Sequence, residues 1–462
     1  MGEPAAPTSV RMVQDQFSLG GSYKWSPTSQ TSLKYGQNES RFDTYRFPIG
    51  FTVPGAVDGE PVSLFFGLGI NQFIKRKIQD YQVSHTADLS PKTRLMTTSS
   101  YVREVRRGEA EGSGSIFTVG PEGASFVDTA GFGNADKGSK EFASVSMGVK
   151  HDLSSQLRLD ATWVLNRLQQ NVNADTALAF QDTLDSSVSN ENVRTNQLAP
   201  RVGLVFQPDR SWTLRAAYQD WIRPLNIDTL QSVETAGIPI EDRLVQAGGR
   251  SKRNVFQASY SPNARSFWFG RIEKQSVLNP IPLASDVGTP SVPFLEFLRS
   301  TQLSNLSIKS AIDFVPDFEQ GDFKLGTLGF NQILSTNWSV YSRYVRTSSN
   351  ASFTPTGVTS STADARVTGL QIPNLPEDTA VLGATWVSPS RLYLSSRLVY
   401  RDDVFLNKDN SRFLAKAWSA DLAGFWETRD KSWIIGAGVL NFGLQKADRD
   451  NVQYVLDARY RF

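Results

Sequence analysis

The sequence predicts an all-β protein, a closed antiparallel transmembrane β-barrel of about 18 strands (16 to 20), and three observations support this prediction. Apolar and polar residues alternate along many segments, and short turns alternate with long connections. No apolar run approaches the roughly 18 residues that a transmembrane helix needs. With 39% hydrophobic and 20% charged residues, the average polarity resembles that of a soluble protein, as expected of strands with one lipid-facing and one water-facing side.

The last segment, residues 452–462, shows the alternation most clearly. Apolar Tyr454, Leu456 and Tyr460 share one face, and charged Asp457 and Arg459 share the other. With its terminal Phe462, this pattern resembles the closing strand of bacterial outer-membrane proteins. The resemblance implies an outer-membrane location in a Gram-negative bacterium. It also implies that Tyr460 and Phe462 form an assembly signal for the barrel-assembly machinery.

The same alternation recurs upstream. In residues 157–166, Leu159, Trp163 and Leu165 oppose Arg158 and Asp160. Helical spacing would scatter these apolar residues around a cylinder, so the period favours a strand with a wet inner face. Several apolar faces begin or end in tryptophan, which is typical of the aromatic girdles at membrane interfaces: Trp25, Trp212, Trp268, Trp338, Trp386, Trp418 and Trp433.

The connections fall into two lengths, as expected of short periplasmic turns and long extracellular loops. The short turns, rich in Ser, Pro, Asn and Asp, are residues 26–30, 90–91, 154–156, 208–210, 262–264, 335–336, 388–390 and 428–431. The long stretches are residues 108–140, 169–194, 223–251, 277–321 and 348–376.

Eight hairpins and the C-terminal strand make seventeen strands, so an even barrel needs one more. The additional strand is residues 62–70 or a strand lost with the N-terminus; alternatively, residues 62–70 fold into the lumen as a loop. We assign residues 1–14 to a remnant of a leader or of cloning, and residues 15–462 to the barrel.

Two stretches, residues 199–218 and residues 440–446, resemble strand-turn-strand segments of TonB-dependent receptors. The resemblance implies a loop-occluded receptor or assembly barrel that binds a ligand or partner at its outer surface. The chain departs from that family in showing no TonB box, no plug domain and too little length for the usual 22 or so strands.

Residues 384–390 and 393–401 resemble the C-terminal barrels of envelope proteins with a periplasmic tetratricopeptide domain, including exopolysaccharide export porins. That resemblance implies a periplasmic N-terminal domain or partner protein. No 34-residue period is visible in the chain itself.

The composition of the chain limits the kinds of partner and reaction that can be expected. The 48 basic and 46 acidic side chains nearly balance, so no global charge indicates a nucleic-acid partner. Cysteine is absent, and the two histidines, His85 and His151, have no second imidazole near them in sequence. No nucleophile or orienting acid can be placed beside either. We therefore predict no enzyme activity, no metal and no cofactor.

Charged residues on the predicted inner faces are the candidates for a pore lining, because charged side chains in a wet pore set solute preference. They are Arg158, Asp160, Arg201, Arg215, Arg271, Glu273, Arg343, Arg397, Asp457, Arg459 and Arg461. Their mutual ion pairing is the alternative. The expected function is a porin or export conduit for a polar or anionic solute or polymer, and residues 277–301 are a candidate constriction. The loop-occluded receptor is the rival.

A basic cluster is predicted where the hairpin that turns at residues 90–91 reaches the outer rim. Counting outward sets Lys75, Arg76 and Lys77 opposite residues 105–107, with Arg103 nearby. Like charges directly opposite destabilise an antiparallel pair, so the cluster needs an anion or solvent. We expect Lys75, Arg76, Lys77, Arg103, Arg106 and Arg107 to contact lipopolysaccharide phosphates.

Overall fold

The computed structural model describes most of the chain and contains β-strands as its regular structure. The described residues are 9–57, 60–120, 123–180, 183–225, 229–241, 244–245, 248–279, 320–353, 367–373, 375–405, 410–411, 413–443 and 452–460. Among them, no helix is long and apolar enough to span a membrane.

The strands follow one another along the whole described chain. They are β1 (Ser9–Ser26), β2 (Ser29–Val57), β3 (Glu60–Ser90), β4 (Thr93–Gly120), β5 (Gly123–Asp152), β6 (Leu157–Phe180), β7 (Thr183–Phe206), β8 (Trp212–Ile222), β9 (Glu234–Thr235), β10 (Ile238–Pro239), β11 (Arg250–Asn263), β12 (Ser266–Leu278), β13 (Gln320–Ile333), β14 (Trp338–Phe353), β15 (Val367–Leu370), β16 (Asp378–Val387), β17 (Leu392–Arg401), β18 (Val404–Phe405), β19 (Phe413–Leu414), β20 (Ala417–Glu427), β21 (Trp433–Gly443) and β22 (Gln453–Tyr460). β1 begins at Ser9, inside the stretch 1–14 that the sequence assigns to a leader.

Eighteen of these strands, including the four-residue β15, form one antiparallel sheet. Each pairs with the next along the chain, and the ladder passes from β8 to β11, from β14 to β16 and from β17 to β20. The short strands β9 and β10 pair with each other, as do β18 and β19. The predicted all-β fold and strand number are confirmed. The ladder that would join β1 to β22 is not among the pairings of the described residues.

The eighteenth strand is not where the sequence placed it. Residues 62–70 are neither a separate strand nor a loop in the lumen, because they continue β3 and pair with β2 and β4. The additional strand is β15, four residues that pair with the end of β14.

Strands β2 to β7 are 24 to 31 residues long, whereas β16 and β17 have 10 residues each. Residues 108–140 and 169–194, predicted as long loops, are therefore mostly strand, and that prediction was wrong. Their Gly, Ser and Asn content indicated loops, but backbone pairing with a neighbouring strand stabilises the extended conformation without apolar side chains.

The two faces of the wall differ as predicted. In β6, Trp163 and Leu165 are 48% and 58% exposed on the lipid side, whereas Asp160, Thr162 and Val164 on the other side are buried. Apolar side chains thus point outward and polar ones point into the lumen, the arrangement of a transmembrane barrel.

Predicted girdle residues pair across strands close to the short turns. Trp212 stacks on Tyr260 with ring centroids 4.4 Å apart, and Trp338 lies 6.4 Å from Trp386. Trp433 lies 4.9 Å from Tyr460, one residue of the predicted assembly signal. Such pairs stabilise cross-strand register and mark the interface at the short-turn end.

Candidate functional site

The connection between β8 and β11 folds back into the lumen in its described parts, residues 223–225, 229–241, 244–245 and 248–249, and we call these parts the inner loop. It was predicted as an outer loop, and it does enter and leave at the outer ends of its strands. Arg223 N donates to Gly249 O (2.9 Å), and Gly248 N donates to Arg223 O (2.8 Å). These two bonds close the base of the inner loop beside the outer ends of β8 and β11.

The tip of the inner loop is a two-residue hairpin between β9 and β10. Ala236 and Gly237 have φ values of 54° and 74°. Positive φ at both central residues is the tight turn that joins antiparallel strands with the correct twist. Ala236 is 1% exposed and its backbone N donates to Asp160 Oδ2 at 2.9 Å. The tip is therefore fixed against β6.

A glycine in the wall makes room for this tip. A Cβ added to Gly203 in β7 would lie 2.7 Å from Ala236 Cβ and 3.1 Å from Thr235 Cγ2. Carbon atoms do not approach so closely, so any other residue at position 203 would displace the hairpin. Wall and tip are complementary in shape at this point.

Side chains from three wall strands hold backbone carbonyls of the inner loop. Arg201 Nη1 donates to Ser232 O (2.6 Å), Gln219 Nε2 to Ile238 O (2.9 Å) and Arg253 Nη1 to Pro239 O (2.8 Å). Carbonyls removed from water need partners, and charged donors make the stronger bonds. The buried wall side chains thus satisfy the backbone of the inner loop.

The tip reaches the short-turn end of the barrel. Lys150, two residues before the end of β5, lies 2.9 Å from Glu234 and 3.8 Å from Asp160. The inner loop therefore spans most of the wall, from the outer ends of β8 and β11 to the region of the short turns.

A buried charge cluster supports the same region. Arg253 Nε donates to Glu273 Oε2 at 3.1 Å, and Arg271 Nε donates to the same oxygen at 2.9 Å. Arg253 also donates to Gln219 Oε1 at 3.0 Å. The side chains of Arg253 and Glu273 are each 2% exposed. Such a pair is stable only while both charges and their hydrogen bonds are present.

Two apolar clusters complete the packing of the inner loop. In one, Leu225 packs with wall residues Val102, Phe142, Val164, Ala199 and Ile222. In the other, Leu244 and Val245 pack with Val277, Phe323, Ala351 and Ile372. Apolar burial therefore anchors the part of the inner loop nearer its base.

We call strands β5–β8, β11 and β12, with the inner loop on them, the packed sector. Strands β17, β20–β22 and β1 form the open sector. None of the side chains described in β1, β17, β20 and β22 is buried. Charged residues of the open sector form ion pairs along the wall, with Arg397 Nε 2.6 Å from Asp421 and Arg459 Nε 2.8 Å from Asp457.

Among the described residues, no group of three His, Asp or Glu side chains lies close enough together to hold a metal ion.

Comparison with solved structures supports the fold. The ferric yersiniabactin uptake receptor FyuA from Yersinia pestis superposes with a TM-score of 0.58 over 97% of this chain at 11% identity. The chain is an outer-membrane β-barrel protein. It spans 60% of the length of that receptor. At this identity the likeness shows the fold, and the outer-membrane location predicted from the sequence follows from it.

Two further solved structures superpose on this barrel with lower TM-scores. The siderophore receptor PiuA from Acinetobacter baumannii has a TM-score of 0.44 at 10% identity, over 94% of this chain and 76% of that chain. The ferric-catecholate import receptor Fiu from Escherichia coli has a TM-score of 0.47 at 8% identity, over 98% and 81%. No protein-family model and no curated protein matches the sequence.

The predicted pore-lining residues lie in different parts of the barrel and make different contacts. Asp160, Arg201, Arg271 and Glu273 hold the inner loop or support its anchors, and Arg215 lies beneath the tip, 3.3 Å from where a Cβ on Gly237 would be. Arg397, Asp457 and Arg459 form ion pairs in the open sector, and Arg343 is exposed. Arg158 lines a cavity of about 410 Å³ at the short-turn end. Arg461 and Phe462 lie outside the described residues, as does most of the predicted constriction at 277–301.

The register of the predicted basic cluster is confirmed, since Lys75 pairs with Arg107 and Arg76 with Arg106. The alternation of faces nevertheless separates the six residues: Arg76 and Arg106 share the lumen face with buried Glu104, and the others face outward. Carboxylates lie beside several of them, in the ion pairs Lys75–Glu39, Arg76–Glu104, Arg103–Glu141 and Arg107–Glu109. The lipopolysaccharide contact at these residues stays a prediction.

Sequence reasoning missed the inner loop, although its composition carried a signal. Residues 238–245 contain Ile238, Ile240, Leu244 and Val245, and such an apolar content is unusual for a connection exposed to water. Ile238 and Val245 are fully buried in the barrel. The Ala-Gly pair at positions 236 and 237, directly before that stretch, was the second clue, because it forms the tight turn of the tip.

Proposed function

We propose that this protein is an outer-membrane receptor that binds a polar or anionic ligand within its lumen, which the ligand enters from the outer side and which its own inner loop narrows. The observation that supports this proposal is the inner loop itself. Its tip lies near the short turns and is held by Asp160, Arg201, Gln219 and Arg253. A barrel of about 18 strands leaves an aqueous channel unless such a segment fills it.

The ligand class follows from the charges that remain accessible in the lumen. Arg343 is exposed on the lumen face, and the Arg397 side chain is 52% exposed although it pairs with Asp421. Arginine binds carboxylates and similar anions through paired hydrogen bonds. FyuA is a ferric yersiniabactin uptake receptor, which agrees with a receptor function.

A passive channel or export conduit is the second candidate, because the open sector leaves a lumen face that the inner loop does not cover. Conductance in planar bilayers separates the two functions. We expect the parent protein to show little steady current. We expect a variant with residues 229–241 replaced by a short Gly-Ser linker to conduct steadily, because its lumen is no longer narrowed.

Arg343→Gln is the matched control, since it changes the charge of the lumen without touching the inner loop. It should alter the ion preference of the open variant and leave the parent closed. If the parent protein conducts as steadily as the linker variant, the receptor proposal is wrong and the channel is favoured.

A further inference from the structure

We propose that the lipid-facing wall formed by β11–β14 binds the lipid A part of lipopolysaccharide, with phosphates on a row of cations and an acyl chain in the concavity below. This inference goes beyond the proposed function, because it concerns the outer surface of the barrel and not its lumen. It also names a different site from the basic cluster on β3 and β4.

The row of cations consists of Lys252 in β11, Lys274 in β12, Lys324 in β13 and Arg346 in β14. All four are exposed, and they alternate with buried lumen residues such as Arg253 and Glu273. They therefore point away from the lumen. We call them the cation row.

The register brings two of these charges directly together. Lys274 is the cross-strand partner of Lys324, and Arg346, the partner of Gly326, is diagonal to Lys324. Lysines directly opposite each other destabilise an antiparallel pair unless an anion lies between them. Lys252, Lys274 and Lys324 make no ion pair with any described residue.

Three carboxylates lie close to the cation row, and each already accepts a hydrogen bond. Asp322 accepts from Ser276 at 2.5 Å, and Asp378 accepts from Tyr344 at 2.6 Å. A third, Asp220, is held by Arg250 at 2.6 Å. Asp220 is the cross-strand partner of Lys252, and Asp378 is that of Arg346. With Arg250 counted, five cations against three carboxylates leave the surface with a net positive charge, which favours an anion carrying more than one charge.

The surface below the cation row is concave and apolar. Lys274, Lys324 and Arg346 border a concavity of about 850 Å³ lined by outward side chains that include Phe256 and Ile272. Gly326 contributes to its depth, since a Cβ there would meet nothing within 4 Å. Phe256 and Ile272 are 46% and 63% exposed on this lipid face.

Cations above an apolar concavity match a phosphorylated glycolipid. Lysine and arginine bind phosphate through charge-assisted hydrogen bonds, and their aliphatic stems lie comfortably along apolar surface. The cation row lies on the side of the apolar residues away from the short turns, which is the outer-leaflet side of a barrel with short periplasmic turns. Lipopolysaccharide is the phosphorylated lipid of that leaflet, so we commit to it as the occupant.

The test measures binding of purified bisphosphorylated lipid A to the full chain in neutral detergent, by native mass spectrometry and by the rise in thermal midpoint. For Lys274→Gln with Lys324→Gln we expect affinity to fall about tenfold or more, the equivalent of losing one or two charge-assisted hydrogen bonds. Dephosphorylated lipid A should bind both proteins equally weakly. The fold is checked by circular dichroism without lipid.

Two further variants and one competition measurement identify the binding site and the ligand. Gly326→Leu, whose Cβ would meet nothing within 4 Å and whose side chain would occupy part of the concavity, should also weaken lipid A binding, and it tests the proposal if the double variant fails to fold. Lys75→Gln with Arg103→Gln, whose parent residues pair with Glu39 and Glu141, reports separately on the basic cluster of β3 and β4. In this variant the lipid A binding that depends on Lys274 and Lys324 should remain. Inorganic phosphate and phosphatidylglycerol should not compete at equal concentration.

The proposal is overturned if the Lys75 and Arg103 variant loses binding while the Lys274 and Lys324 variant keeps it, because the contact then lies on β3 and β4. It is equally overturned if phosphate or phosphatidylglycerol binds as tightly as lipid A, which would indicate a general anion surface.

Discussion

The packed sector and the open sector are built from the same alternating strands, yet their lumen faces differ. In the packed sector, Arg201, Arg253 and Glu273 are buried and hydrogen-bonded to the inner loop or to one another. In the open sector, Arg397 and Arg459 have side chains that are 52% and 73% exposed and pair only with a carboxylate of the wall. The difference teaches that an inward-facing charge is buried and hydrogen-bonded where a second segment covers it, and stays largely in contact with solvent where none does.

The largest effect should come from the buried charge cluster. Arg253→Ala leaves Glu273 buried with fewer partners and removes the donor to Pro239 O. Losing one partner of a buried pair typically costs about 3–5 kcal/mol, so the free energy of unfolding should fall by that order. Urea unfolding in lipid vesicles, followed by tryptophan fluorescence, measures it.

The control for that measurement is Arg397→Ala in the open sector, where solvent screens the pair with Asp421. It should cost about 1 kcal/mol or less. Equal losses in the two variants would remove the energetic distinction between the sectors.

A pair of glycines gives the next largest effect. Gly203→Ala places a methyl group 2.7 Å from Ala236 Cβ, so the wall and the inner-loop tip must separate. Overpacking of this kind costs about 1–3 kcal/mol. We expect lower stability together with faster proteolysis or hydrogen exchange of residues 229–241.

Gly21→Ala in β1 of the open sector is the matched control, since a Cβ there would meet nothing within 4 Å. Its exchange rates should equal those of the parent. Should Gly203→Ala leave the inner loop as protected as before, the tip does not depend on contact with β7.

The smallest effect concerns the short turn between β20 and β21, outside the membrane-spanning part of the open sector. Hydrogen bonds from Thr428 and Ser432 lower the pKa of Asp430 from 3.8 to about 2. A carboxyl whose pKa is lower in the folded state contributes stability above its unfolded pKa and loses it as pH falls through the folded value. Asp430→Asn should therefore unfold slightly more easily than the parent at pH 5, with the difference vanishing near pH 2.

A denaturation series at both pH values checks this prediction. Lys431→Gln, which changes the neighbouring charge and not the carboxylate, is the control and should show no such convergence. A constant difference between Asp430→Asn and the parent from pH 5 to pH 2 would contradict the assignment.

The sequence was sufficient to predict which side chains of the wall face outward and how strands pair near a short turn. It was insufficient to predict what fills the lumen. Alternation in residues 157–166 correctly separated Trp163 from Asp160, and counting from the turn at residues 90–91 correctly paired Arg76 with Arg106. Both inferences depend on local spacing, which a strand fixes. The role of Asp160 could not be predicted in the same way, because its partner Ala236 is 76 residues away.

The lengths of the hairpins escaped prediction for a related reason. Residues 108–140 have the composition of a loop, and only the partner strand shows that they are extended. Likewise, the composition of the basic cluster suggested one anion site, but the alternation of faces sends Arg76 and Lys75 to opposite sides of the wall. Composition shows which residue types a segment contains, whereas strand pairing determines on which face of the wall each side chain lies.

The unequal strand lengths also determine how close other large molecules can come to the cell. β4 has 28 residues, of which about 9–11 suffice to cross the hydrocarbon layer. At roughly 3.3 Å per residue, the remainder extends about 55 Å along the strand beyond the bilayer. Hairpins of that reach would meet an antibody, a phage tail or a neighbouring cell before the lipid surface does, so among the described strands those of β2–β7 are the ones that an approaching particle touches first.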